Sequence, residues 1–545
     1  MILLTTALLA SLAPQDPWRA LPLPRICEER HFGGQPERID SAGHVDLGEG
    51  FASAPGASEV LLAPQDLGNL LQMTAAAAQK SVQVSPYSPP LYVQGSAEDL
   101  DWAQVAADGI SAACDRQYLQ VRAQLIPGGK ASDPAPADQP QAGTKAWRAE
   151  LLSGEEIFLG ERHQESFVSS FDVEVSAQAG VAAPTIGQVT TGKTLHLQVS
   201  RVDGGRRYHL RGHLDLAELG GFTSFDPGTP DLGQFMQPTV HALSLSFSAV
   251  GEFGEPQKVV IEGAPLAQKD WVLWIEVDGQ PEPRGPLSAE ESFGQEWRAY
   301  DLSFLEGRAR SLKSLSPGSL LEDTHNLEPV SPSAATISAS GVLGMLQSSG
   351  RSRRSSTGAA SAPHQISKGL ILVAASSGDG GLASQIADFL ESAEASRLES
   401  SQVRLSHGAL KVQFPSAKGE LARLWAGTEQ VLVTGYRSEI APSTWMPLPI
   451  VEHLRDGLAW QGTLLSRRFS SQAWVAETES IQIINQRRAQ LGAVQLPKRR
   501  IRSARESQVL SNPQDPSNRQ ATLLPAQPQS PALLLEVSTP VVARK

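Results

Sequence analysis

Thr194-Leu195-His196-Leu197-Gln198-Val199-Ser200-Arg201-Val202-Asp203-Gly204-Gly205-Arg206-Arg207-Tyr208-His209-Leu210-Arg211-Gly212-His213-Leu214 is the stretch whose reading decides the fold. Leu195, Leu197 and Val199 alternate with His196, Gln198 and Ser200, so an extended segment here has one apolar and one polar face. Val202-Asp203-Gly204-Gly205 is a turn signal, and the run from Tyr208 to Leu214 reads as the returning strand of an antiparallel pair. The pattern extends outward on both sides. Phe171, Val173 and Val175 alternate with Asp172, Glu174 and Ser176, and further strands are predicted at 240–249, 257–262 and 271–277. The chain from 166 to 277 is therefore predominantly β.

Upstream, Leu67, Leu70, Leu71 and Met73 predict a helix within 66–80. Leu91-Tyr92-Val93 is strand-like, Ser96 can cap a helix carrying Trp102, Val105, Gly109 and Ile110, and Leu119, Val121, Ala123 and Leu125 alternate with polar residues. That is a strand-helix-strand module. The fold class expected is α+β and β-rich, in tandem units that each pair a small strand-helix-strand module with antiparallel strands. The expected boundaries are an export signal at 1–13, an extended lead-in at 20–60, a small α/β module at 61–128 and a β-rich domain at 146–320. A Ser/Ala/Gly-rich linker at 326–368, a second small α/β module at 369–412 and a reduced second β-rich domain at 413–545 complete the division.

Composition limits the function classes. The 545 residues suffice for several cores, and a formal charge of -12 disfavours a protein built to wrap nucleic acid phosphates. Met1–Ala13, MILLTTALLASLA, resembles the apolar core of an export signal although the first basic residue is Arg19. No other stretch approaches the roughly 18 to 20 apolar residues of a helical membrane span. The expected location is the periplasm or cell envelope. The two cysteines, Cys27 and Cys114, fit sparse usage in an exported protein and could form one disulfide.

The second half of the chain echoes the first. Leu370–Val373 is similar to the strand at 91–93, Leu382, Ile386 and Phe389 mark a following helix, and Gln402-Val403-Arg404 repeats Gln120-Val121-Arg122 at an offset of 282. Gly427 with Val431–Gly435 matches Gly154 with Ile157–Gly160 near 275, and Gly462-Thr463-Leu464 matches Gly192-Lys193-Thr194-Leu195 near 270. Leu535-Glu536-Val537 follows Ile275-Glu276-Val277 by 260. Preserved order with a falling offset predicts two copies of one architecture, the second with shorter loops.

These segments, taken in order, resemble the bacterial secretin family. Leu91–Gly95, the helix through Ile110 and Gln120–Leu125 look like the last small ring-forming domain running into the β core. Gly192–Val199 with Asp203-Gly204 is similar to the family's GT-x-L-x-V strand and turn, with Lys193 inserted, and Lys258–Gly263 to its "viGG" strand. Ala532–Val542 resembles the terminal "LLIFITPxIV" strand. The family's VPxLGxxPxxGxLF segment is not found after Gly263; Pro230-Asp231-Leu232-Gly233 is a fragment of it at another place. The resemblance implies a noncatalytic oligomeric envelope protein, without the gate, that acts through protein partners or self-association, with outer-membrane association a further implication.

Catalytic chemistry is weakly represented. His209 and His213, with His196 and Asp215 near, invite a metal, yet on one strand face the two imidazoles stand about 13 Å apart. Arg162-His163 and Glu165 sit near serines without a nucleophile signature, and adjacent Glu155 and Glu156 point oppositely in a strand. No GxSxG, HExxH or Walker A loop occurs. No catalytic residue, cofactor or metal ligand is assigned. Lys498, Arg499, Arg500, Arg502 and Arg505 form a basic run, read either as a solvated linker or as a contact for an anionic lipid, polysaccharide or acidic protein. The alternatives carried forward are a soluble metal-dependent envelope hydrolase and a carbohydrate- or surface-binding module using Trp271 and Trp274.

Overall fold

The computed structural model describes residues 91–130, 144–175, 180–202, 206–228, 232–279, 296–301, 370–375, 400–441, 444–464, 468–486, 492–509, 519–528 and 530–538. Shorter described pieces are 17–21, 23, 27, 30–31, 58–59, 64–77, 79–85 and 364–365. The export signal, most of the lead-in and linker, and the helix predicted through Leu382, Ile386 and Phe389 lie outside the described residues.

In chain order the elements begin with strands β1 (Trp18–Leu21), β2 (Arg30–His31) and β3 (Ser58–Glu59), helix α1 (Pro64–Ala77), β4 (Gln83–Ser85), β5 (Leu91–Gln94) and helix α2 (Ala97–Asp115). Eight strands follow: β6 (Tyr118–Pro127), β7 (Lys145–Leu152), β8 (Glu156–Val175), β9 (Gly180–Val202), β10 (Arg207–Phe225), β11 (Phe235–Glu252), β12 (Gln257–Glu262) and β13 (Trp271–Gly279). Next come β14 (Glu296–Asp301), β15 (His364–Gln365) and β16 (Leu370–Ala375). A further eight close the chain: β17 (Ser400–His407), β18 (Leu410–Ala417), β19 (Leu421–Ala441), β20 (Thr444–Leu464), β21 (Arg468–Gln486), β22 (Gly492–Val509), β23 (Arg519–Leu524) and β24 (Leu533–Ser538). The architecture is a β-rich α+β fold.

The helical module follows directly from its sequence. The Ser96 hydroxyl accepts from the Asp99 amide at the start of α2, and Glu98 and Asp99 place negative charge in its first turn. Leu100, Ala103, Ala107, Ile110 and Cys114 recur at helical spacing and are buried, packing with Leu67 and Leu71 of α1 and Leu91 and Val93 of β5. Trp297 and Ala299 of β14 and Leu370 and Leu372 of β16 enter the same core. On the described residues, the strand at 370 thus shares the first module's core.

The two large sheets each have eight strands, and their faces meet over one core. The longer sheet runs β22-β21-β20-β19-β11-β10-β9-β8 and the shorter β23-β24-β17-β18-β12-β13-β6-β7. Leu195, Leu197 and Val199, the apolar face read in the sequence, pack there with Leu210, Leu214, Leu245 and Phe247 against Val121, Leu125, Leu273 and Ile275. Burying each such side chain contributes roughly 1.5–3 kcal/mol relative to exposure.

Strand order divides both sheets into equivalent halves. In the first half the second, first, eighth and seventh strands lie side by side as β7-β6-β13-β12, and in the second half as β18-β17-β24-β23. In each half the third to sixth strands form the consecutive meander of the longer sheet. Registers agree in detail. Gly154, at φ 84°, donates its amide to the Val199 carbonyl, and Gly419, at φ 83°, to the Leu464 carbonyl. Both equivalences separate residues by 265 positions, 419 less 154 and 464 less 199. Gly192 pairs with Arg162 and Gly457 with Gly427 at that separation, and the register slips between Val168 and Ser170 in β8 and between Val433 and Gly435 in β19. In the following strands, slips between Leu219 and Gly221 and between Thr478 and Ser480 also correspond.

These registers revise two of the sequence alignments. Gly154 corresponds to Gly419, not Gly427, and Gly192 to Gly457, not Gly462. Alternating small and apolar residues make shifted matches look equally good, whereas backbone pairing fixes one. The offsets at the two ends agree with the pairing: Arg122 faces Glu276, with an ion pair at 3.9 Å, and Arg404 faces Glu536, with one at 3.5 Å.

Candidate functional site: the open edges of the large sheets

A sheet ends in a strand whose outer amides and carbonyls have no ladder partner, and such an edge is a template for another strand. The longer sheet ends at β8 and β22, the shorter at β7 and β23, and among the described residues no further strand pairs with them on the outer side. The upper end of β8 turns inward: Phe171 packs beside Phe235 and Val433. Lower on the same strand, His163, Gln164, Glu165 and Ser166 are exposed.

What such an edge can do is visible where the halves join. β11 pairs antiparallel with β19 from Thr239 opposite Gln430 to Ser246 opposite Arg423, while β12 pairs with β18 from Val260 opposite Gln413 to Glu262 opposite Lys411. Polar side chains hold this seam. His241 Nδ1 lies 3.0 Å from Thr428 Oγ1, and the Ala417 amide donates to Ser248 Oγ at 2.9 Å. The Arg211 guanidinium donates to Glu420 Oε1 at 2.9 Å, and His209 Nε2 approaches the same oxygen at 3.6 Å. Burial, then the positive charge of Arg211, depresses the His209 pKa to about 4, so the imidazole beside Glu420 is neutral. Behind the seam Glu429 and Arg455, both almost fully enclosed, form an ion pair at 2.9 Å.

The basic run lies on β22, an outer edge, and the pleat divides it. Lys498 and Arg500 share a face and both pair with Glu479, whose carboxyl they hold below its ordinary range chiefly through the Lys498 hydrogen bond. Arg499 points the other way and donates to the Arg455 carbonyl at 2.6 Å. Arg502 is buried and donates to the Pro525 and Pro531 carbonyls, tying β22 to the turn before β24. Arg505 pairs through its backbone with Gln472, its side chain being outside the description. The opposite edge carries acid. Glu161 pairs with Lys145 at 2.8 Å, and this hydrogen bond lowers its pKa, while Glu165 stands exposed.

The remaining sequence candidates are dispersed. His213 meets Ser246 at 2.7 Å and Asp215 at 3.1 Å, whereas His209 is buried at the seam. His196 approaches Glu156 at 3.4 Å. Glu155 accepts from the Leu152 amide at 2.6 Å, capping the turn into β8. Cys27 and Cys114 are both buried in the helical module as free thiols. Trp271 is a core residue with Lys193 over its ring, and Lys258 lies 4.3 Å from the ring centre of Trp274. Sequence reading missed the Arg211–Glu420 tie, which joins residues far apart in the chain, and the role of Glu161 and Glu165 as edge residues. Neither carries a local sequence signal, because both depend on which strands lie side by side.

Among the described residues no helix is long and apolar enough to cross a membrane, and no group of His, Cys, Asp and Glu is placed to hold a metal ion. No protein-family model and no curated protein matches the sequence. Among solved structures the chain is similar to the secretin-domain β-barrel of InvG from the Salmonella SPI-1 injectisome, at 12% identity and a TM-score of 0.23, covering 51% of this chain and 92% of that one. It is similar to the Vibrio cholerae type IV competence pilus secretin PilQ at 8% identity and a TM-score of 0.19, covering 37% and 70%. Its likeness to the secretin GspD in the enterotoxigenic Escherichia coli AspS–GspD complex has 9% identity and a TM-score of 0.19, covering 40% and 60%.

Proposed function

We propose that the chain is a noncatalytic, secretin-like assembly component of the cell envelope that works through protein-protein contacts at its sheet edges. The observation that carries this reading is the seam between β11 and β19: two eight-strand units of equal strand order join edge to edge, and the same arrangement leaves one edge of each kind unpaired. The secretin-like order of Gly192–Val199, Lys258–Gly263 and Ala532–Val542 supports it, and the apolar segment Met1–Ala13 supports delivery to the envelope. Tandem duplication of one β unit is part of the proposal, as is a location in the periplasm with contact to the outer membrane. A scaffold of this kind needs no cofactor, and its polar clusters serve structure.

Mass measurement and particle imaging of the purified chain test the reading. Association into defined multimers, alone or with an envelope fraction, is expected. A particle that stays monomeric at high concentration and recovers no envelope protein would refute it.

A further inference from the structure

We propose that β14 is a detachable strap that holds the helical module against the two large sheets, with Ser153 as its fastening, and that its release lets the module pivot at Arg116 and Gln117. This does not rest on the assembly reading. The chain passes from α2, which ends at Asp115, to β6, which starts at Tyr118, through those two residues alone. Rotation about their backbone bonds leaves the angle between module and sheets open, so contacts must set it. Tyr118 and Leu152 seat the module's core on the sheets, and the Ser153 amide donates to the Gln117 carbonyl at 2.8 Å.

The sequence of β14 suits it to bridge that joint. In Glu296–Asp301, strand alternation turns Trp297, Ala299 and Asp301 to one side, and all three are buried. Trp297 and Ala299 enter the module's core beside α2, and Leu370 and Leu372 of the paired strand β16 go with them. Asp301 reaches the β7–β8 turn instead. The Ser153 hydroxyl donates to the Asp301 carboxylate and accepts from the Arg201 amide at 2.7 Å, so one buried side chain ties the strap, the turn and the end of β9 together. At the pivot itself Gln117 Nε2 donates to the Ala299 carbonyl at 3.3 Å. Taking a hydrogen-bond donor from a buried carboxylate is costly, and that cost holds β14 in place.

The second half has no such serine. The equivalence of Gly154 with Gly419 places Lys418 where Ser153 stands, and an ammonium group cannot accept from an amide as the serine oxygen does. The fastening thus sits in the unit against which the helical module is docked. β14 is an edge strand of the small β14-β16-β15 sheet, and among the described residues it forms no ladder with either large sheet. Its undocking therefore leaves the ladders of both large sheets intact. A short element held at a few points opens at lower free energy than a sheet core. Opening bares the side of α2 that β14 covers and leaves the module hung on Arg116 and Gln117.

Hydrogen exchange of the full chain, followed by mass spectrometry, tests this. In the parent, the amides of β14, β16 and α2 should exchange through one shared opening, faster than those of Leu195–Val199 and Leu210–Leu216 in the sheet core. Ser153→Ala and Asp301→Ala should each speed exchange in those three elements by roughly ten- to hundredfold and leave the two core stretches unchanged. The double variant should be little faster than the quicker single one, because both substitutions break the same contact. If the variants do not fold, the parent's pattern still decides. An α2 that exchanges only together with the sheet core, a fast β14 beside a protected α2, or a variant that speeds all elements alike would overturn the strap. The pattern is read on monomer or multimer alike, which keeps this result separate from that of the assembly reading.

Discussion

Gly192 and Gly457 adopt φ angles of 142° and 153°, and a Cβ at either would lie 2.1 Å from the Glu161 carbonyl oxygen or 2.3 Å from that of Ala426. Glycine is required twice over, by backbone conformation and by the close approach of the neighbouring strand. Gly457→Ala is expected to lower stability by about 2–4 kcal/mol in a denaturant titration. Gly435, where a Cβ would first meet Ile450 at 3.4 Å, supplies the contrast. Gly435→Ala should cost under about 1 kcal/mol, and equal losses at the two positions would disprove the close-approach account.

Thiol chemistry belongs at this scale too. Burial, followed by the charge of Asp66, pushes the Cys27 pKa up to about 12, and burial raises Cys114 further. Neither thiol therefore offers appreciable thiolate near pH 8. Native protein should resist alkylation there, and both cysteines should react after denaturation. Reaction only after added reductant would identify the disulfide that the sequence leaves open for an oxidising compartment.

Among the elements, β10 shows how a strand divides its duties. Leu210, Leu214 and Leu216 face the core, while His209 sits at the opposite face beside Glu420 of the other half. A depressed folded-state pKa means that between the ordinary value of 6.5 and about 4 the unfolded chain takes up a proton that the folded chain refuses. The stabilisation from neutral His209 is complete above pH 6.5 and is lost as pH falls through about 4. Relative to His209→Gln, the parent should lose about 2 to 3 kcal/mol more between pH 7 and pH 4.5. Parallel stability profiles would show that His209 is not held neutral at the seam.

Strands and the capped helix were legible because their signals are local. The Leu195–Val199 alternation, the Ser96 cap and the span 257–262 coincide with β9, α2 and β12. Register was less legible, since it depends on turns and neighbours that a one-dimensional pattern does not contain. The basic run was visible as charge but not as an edge: alternation splits Lys498 and Arg500 from Arg499, and only sheet order brings them to β22.

At the scale of the whole molecule, the two halves are joined through both large sheets, so pulling them apart breaks the β11–β19 and β12–β18 ladders together. Under the assembly reading, that internal seam is the pattern for how a sheet edge of this chain takes up a further strand. The most direct measurement is the mass of the purified full chain across a concentration series, alone and with an envelope fraction. The account predicts discrete multimers whose population rises with protein concentration. A chain that stays monomeric at the highest concentration reached, and takes up no partner from the envelope fraction, would contradict it.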